Sequence, residues 1–95
     1  MVGGLTEVKP KDDKIDELVN SIREEFENKN YSTQSFEADS YKSQVVNGVN
    51  YFIKVKTDKE YVHIRVHQSL PHNNSEVSYH SHQLNKKKED EITYF

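Results

Sequence analysis

The apolar positions of the chain change period once. Between residues 12 and 30, Ile15, Leu18, Val19, Ile22 and Phe26 recur at intervals of three and four, one stripe of a 3.6-residue repeat. Asp16, Glu17, Arg23, Glu24 and Glu27 take the other faces. The spacing predicts an amphipathic helix that starts at Asp12 or Asp13, either of which can cap it, and frays near Asn28–Asn30. From about Phe36 the period becomes two. Tyr41, Ser43 and Val45 alternate with Lys42, Gln44 and Val46; Val49, Tyr51, Ile53 and Val55 share one face of the next run; Val62, Ile64 and Val66 alternate with His63, Arg65 and His67 in a third. Asn47-Gly48 between the first two runs is a hairpin signal and predicts a type I′ turn, in which both central residues need positive φ.

Asp58-Lys59-Glu60 makes the next turn, residues 69–75 (SLPHNNS) a loop, residues 77–84 a further strand and residues 86–91 a charged linker. The tail ITYF is a candidate for a short edge strand. Residues 1–11, with Gly3-Gly4 and Pro10, are expected to be a flexible segment without regular structure. One helix followed by four or five antiparallel strands buries both apolar stripes when the helix lies across one sheet face. That is an α+β two-layer fold, with residues 1–95 forming a single domain.

Composition narrows the function classes. Ninety-five residues at 33% hydrophobic and 31% charged allow one thin core, with six Tyr and four Phe supplying much of its area. A net charge of −3 and an isoelectric point near 5.9 weigh against a nucleic-acid partner, for which a basic face is expected. The absence of cysteine fits a reducing compartment. Nothing in MVGGLTEVKP resembles a signal peptide and no later run could span a bilayer, so a cytoplasmic protein with no membrane partner is expected.

Candidate chemistry is sparse. No Ser sits in a strand-to-helix elbow, and there is no Cys nucleophile, phosphate loop or HExxH motif, so neither an enzyme nor a bound cofactor is expected. If the strands flanking 69–75 pair without irregularity, His67 lies opposite Ser78, His63 opposite His82 and Arg65 opposite His80. Four imidazoles (His63, His67, His80, His82) then share the face away from the helix, a spacing that could suit zinc or copper. No carboxylate or Cys completes the set and Arg65 lies within it, so a solvated polar face is the preferred reading and no metal is assigned. Lys86–Lys88 followed by Glu89, Asp90 and Glu91 reads as a self-compensating turn.

The hairpin tips carry more than turns require. Val45 and Val46 adjoin the first tip, and Leu70 and Pro71 stand at the second. In a meander, alternate connections lie at the same end of the sheet, so the 46–49 and 70–75 loops are neighbours. A helix N-terminus at that end brings Gly3-Gly4 beside them. Three small or apolar elements along one edge mark a binding wedge.

A glycine near the N-terminus, QxVxG in a first hairpin and Leu-Pro in a second resemble the three-part pattern of the cystatins. The length and the lack of cysteine resemble their intracellular branch, the stefins. The resemblance runs through GGLTEVKP, YKSQVVNGVNYFIKV, HIRVHQSLPH and DEITYF. It implies a helix wrapped by a curved four- to five-stranded antiparallel sheet, and reversible, tight-binding inhibition of papain-like cysteine peptidases, including cathepsins. By the same resemblance Val2, Gly3 and Gly4 form the N-terminal contact, Gln44, Val45, Val46, Asn47 and Gly48 the first loop, and Leu70, Pro71 and His72 the second. Asn47 stands where alanine is common in the family, His67 and His82 where aromatic residues are, and Asp39 where an apolar one is. His72 would gain charge in mildly acid solution. A monomer is expected, with a domain-swapped dimer formed by hairpin exchange about 46–49 as the alternative state. The alternative function is a non-inhibitory protein-binding module on the same scaffold.

Overall fold

The computed structural model describes residues 4–71 and 75–95. One helix, α1 (Asp13–Lys29), packs on a sheet of five antiparallel strands in sequential order: β1 (Lys9–Pro10), β2 (Phe36–Val45), β3 (Val49–Thr57), β4 (Tyr61–Gln68) and β5 (Val77–Lys86). The α+β architecture follows the sequence pattern, with two elements placed differently.

The helix begins where its cap does. Asp12 has extended backbone angles, and its carboxylate accepts a hydrogen bond from the Ile15 amide at 2.9 Å. This satisfies one of the orphan donors of the first turn. Ile15, Leu18, Val19, Ile22 and Phe26 are all buried, so the predicted stripe is the buried face. At the other end Asn30 donates its backbone amide to the Phe26 and Glu27 carbonyls and its side chain to the Phe26 carbonyl, closing the helix. Glu27 then gathers the Thr33 amide and hydroxyl at 2.8 and 2.6 Å, and these donors hold its carboxyl below the usual range. Arg23 donates to the Thr33 carbonyl at 2.7 Å, so the chain is turned into β2 by side chains of the last helical turns.

Against the helix the sheet presents Phe36, Ala38, Tyr51, Ile53, Val55, Val62, Ile64 and Val66, all buried. Phe26 sits at the centre of the aromatic packing, its ring centroid 5.2 Å from Phe36 and 5.5 Å from Tyr31.

The expectation of no regular structure before the helix fails at Lys9–Pro10, which pair with Tyr41 and Ser40 of β2. The Thr6 amide also donates to the Ser43 carbonyl, and the Ser43 amide to the Thr6 hydroxyl. Pro10 is tolerated because this strand lies at the sheet edge, where its missing N–H leaves no ladder bond broken. The tail ITYF does not add a strand. Residues 88–95 instead cross the sheet face opposite the helix. Lys54 Nζ donates to the Lys88 and Asp90 carbonyls, the latter at 2.7 Å. Ile92 is buried, and Phe52 packs against Tyr94 and Phe95 with centroids 5.6 Å away in each case. Arg65 lies over the Phe52 and Tyr94 rings and donates to the Phe95 carbonyl at 2.5 Å. The tail is driven there by Phe52, an apolar ring in the outward phase of β3 that needs a cover.

The histidine grouping is also corrected. His67 does pair with Ser78, but the register slips between Arg65 and Val66, so Arg65 faces Ser81, Ile64 faces His82 and His63 faces Gln83. The extra residue is His80. A bulge of this kind turns the rest of the strand over. His82 accordingly points toward the helix, its ring 5.9 Å from Phe26 and its Nδ1 2.7 Å from the Tyr79 hydroxyl. His63 stays on the outer face, buried between Lys54 and the tail. Among the described residues no three His, Cys, Asp or Glu side chains gather to hold a metal ion.

Candidate functional site

The two apolar tips lie together at one end of the sheet. Val45 pairs with Val49 and Val49 with Gln68, so the β2–β3 tip and the start of the β4–β5 connection are neighbours in one ladder. The β3–β4 turn at Asp58–Glu60 is at the opposite end, beside the helix C-terminus. There Asp58 accepts from the Gln34 and Ser35 amides, and these bonds hold its carboxyl below the usual range.

The first tip is a three-residue connection, Val46-Asn47-Gly48, and not the two-residue type I′ turn expected from Asn-Gly. Gly48 alone has positive φ, +105°, and the Val46 amide donates to the Gly48 carbonyl at 3.0 Å. Three-residue hairpin connections place the left-handed residue last, which leaves Asn47 with ordinary angles. Gly48 is required by sterics as well as by φ. A methyl group on it would lie 2.5 Å from the Gln68 carbonyl oxygen and 2.9 Å from His67 Nε2. The tip of the first loop is thus pressed onto the end of β4.

Side chains at this tip divide in two. Val45 is 75% exposed, the most exposed of the large hydrophobic residues among those described, and Asn47 is also exposed. Val46 is half-buried. Gln44 is buried, its Oε1 accepting from Asn50 Nδ2 at 3.0 Å. In the second loop Leu70 is half-buried and Pro71 exposed. The base of this loop is closed by the Ser69 amide to the Glu76 carbonyl at 2.8 Å and the Ser75 amide to the Leu70 carbonyl at 3.3 Å.

The N-terminal segment approaches the same end. It runs antiparallel to β2, from Pro10 opposite Ser40 through Thr6 beside Ser43, so Gly4 lies farther along toward the first tip. Gly4 is exposed, and among the described residues a methyl group on it would meet nothing within 4 Å. Val2, Gly3 and His72 lie outside the described residues. Beside the second loop, Lys14, Leu18, Gln68 and Val77 line an open groove of about 530 Å³. The Ser21 hydroxyl, also in its lining, donates to the Leu18 carbonyl at 2.7 Å.

The sequence pattern puts Gln44 on the contact surface and His67 in the histidine grouping, and gives no role to Asn50, which lies between them. Pairing Val45 with Val49 sets Gln44 opposite Asn50, so the hairpin register carried the signal.

A helix laid on a five-stranded antiparallel meander, with two hairpin tips at one end, is consistent with the cystatin α+β fold. Residues 3–89 match the Cystatin domain, and the chain belongs to the cystatin family. Over 97 aligned residues, all of this chain and 94% of the relative, it is 44% identical to Cystatin-A1 of Sus scrofa. It is 45% identical, with the same coverage, to Leukocyte cysteine proteinase inhibitor 1 of Sus scrofa. Against Cystatin-B of Pan troglodytes the identity is 54% over 82 residues, 85% of this chain and 82% of that protein. Similarity to cystatins A and B places the chain in the stefin branch.

Proposed function

We propose that this protein is a reversible, tight-binding inhibitor of papain-like cysteine peptidases of the cathepsin type. It would act as a cytoplasmic monomer, with hairpin exchange about 46–49 giving a domain-swapped dimer. The observation that carries the reading is the exposed Val45 on the edge that also holds Leu70-Pro71, with the N-terminal segment running toward it as far as Gly4. An apolar side chain left in water adds little to the stability of the free protein and gains on binding, at about 25 cal/mol per Å² removed from water. Relatives named as cysteine proteinase inhibitors support the partner class.

The mechanism is occlusion. Val2, Gly3 and Gly4 lie on one side of the cleft, while Val45, Val46 and Asn47 with Leu70, Pro71 and His72 fill the other. Gln44 and Gly48 hold the first tip in shape from within. No peptide bond is offered to the catalytic cysteine, so nothing is cleaved and no covalent adduct forms. The glycines support this division. Gly48 is explained by contacts inside the fold, whereas Gly4 has open space around it and, among the described residues, no internal reason to be glycine. Close approach of a partner's backbone supplies one.

Titrating papain with this chain and with Gly3→Arg tests the proposal. Stoichiometric inhibition by the first, weakened in the second, is the expected result. No inhibition of papain or a cathepsin at micromolar inhibitor would overturn it.

A further inference from the structure

On the outer face of the sheet, the cross-strand row nearest the tips is polar throughout. Gln44 pairs with Asn50, and Asn50 with His67. Gln44 and Asn50 are each only 5% exposed. Their side chains are joined in series. Asn50 Nδ2 donates to Gln44 Oε1 at 3.0 Å, and Asn50 Oδ1 lies 2.8 Å from His67 Nδ1. An amide oxygen only accepts, so Nδ1 carries the proton in that bond. The Nε2 edge of the same imidazole lies against Gly48.

Two buried amides are costly unless their hydrogen bonds are made, and an apolar row would fill the space without that risk. What a polar row adds is direction, since hydrogen bonds fix the rotation of the strands that carry them. Each member adjoins a tip. Gln44 precedes Val45, Asn50 follows Val49, and His67 stands three residues before Leu70.

We propose that Asn50, bonded at once to Gln44 and His67, is a positioning residue that locks the first hairpin tip to the start of the second loop, so that both meet a cleft as one rigid edge. The consequence for inhibition rests on the inhibitory reading above; the lock itself does not. A preorganised edge loses less conformational freedom on docking, and the gain falls chiefly on dissociation.

The test compares wild type with Asn50→Leu, His67→Phe, the double variant and Asn50→Asp. Asn50→Asp keeps an acceptor for His67, and Gln44 can turn its amide to donate. Three readouts are taken: papain association and dissociation rates, ¹⁵N order parameters of the Val46, Asn47 and Gly48 amides, and the His67 tautomer by ¹⁵N shifts. Wild type should show His67 as the Nδ1–H tautomer. Asn50→Leu and His67→Phe should each speed dissociation roughly three- to tenfold, the size expected for one net hydrogen bond, with association little changed. Tip order parameters should fall with them, Asn50→Asp should restore them, and the double variant should be no worse than Asn50→Leu. Unchanged order parameters in both single variants, an Nε2–H tautomer, or losses that simply add would overturn the lock. If wild type fails to inhibit papain, the inhibitory reading falls, and the order parameters and tautomer still decide the lock. If Asn50→Leu does not fold, His67→Phe decides it.

Discussion

Single residues here answer to different masters. Gly48 is held by its own fold, through a φ of +105° and the Gln68 carbonyl beneath it. Gly48→Ala should lower stability by about 1–3 kcal/mol, as a strained left-handed residue does. It should appear as a lower urea midpoint at unchanged slope. Gly4→Ala, with open space around it, should leave the midpoint where it is. His63 makes a second residue-scale case. It is fully buried on the outer face, and among the described residues neither ring nitrogen has a hydrogen-bond partner. Burial first, then the Lys54 ammonium from β3 and Lys86 from β5, depress its pKa from 6.5 to about 4, against a smaller opposing pull from Asp90 in the tail. The folded state therefore prefers the neutral ring. Its contribution is complete above about pH 6.5 and is lost as pH falls toward 4, a change on the order of 2–3 kcal/mol. His63→Leu should flatten the loss of urea stability between pH 7 and pH 4.5; an unaltered slope would show that the ring titrates freely.

Elements were legible in the sequence to the extent that their causes were local. The helix and its cap could be read because Asp12 and the apolar stripe sit within one short window. The strands followed from alternation, and their order from the meander. What escaped depended on distant partners. The β4–β5 register slips at His80, and nothing in the residue types around it announces a bulge, so His82 was assigned to the wrong face. The tail was only a candidate edge strand, because ITYF suits one, and it forms none. The better signal was Phe52, an apolar ring in the outward phase of β3 between Asn50 and Lys54. Such a ring requires a cover, and residues 88–95 are that cover. Ile92→Ala should cost about 2–5 kcal/mol, the usual range for deleting a buried isoleucine side chain, if the tail is part of the core. A loss under about 0.5 kcal/mol in thermal or urea unfolding would show a tail that rests on the sheet without supporting it. At the tips, Val45 and Leu70-Pro71 were legible as residues a turn does not need. Burial of Gln44 was not, because it depends on Asn50 across the hairpin.

On the proposed reading, binding and stability fall on separable sets of residues across the whole molecule. The core is the helix stripe with the inner sheet face, closed from outside by the tail. The exposed part of the tip edge adds little to it. Val45→Asp should therefore leave the unfolding midpoint within about 0.5 kcal/mol of wild type, as surface changes do. It should also weaken inhibition of papain at least about tenfold, because a carboxylate would be desolvated in an apolar cleft. Parallel losses of stability and inhibition would mean that the edge belongs to the fold and not to a partner.

The slipped register of β5 has a consequence for life in a crowded solution. β5 is an open margin of the sheet, and a straight margin invites strands from other molecules to add to it. This one is bent by two irregularities in its pairing with β4 and carries Asn85 at a left-handed φ of 58°. The opposite margin is a two-residue strand ending in a proline with no hydrogen to offer. Both borders are poor templates for growth. The same bulge that hid His82 from the sequence thus interrupts the ladder that a strand added at β5 would have to follow.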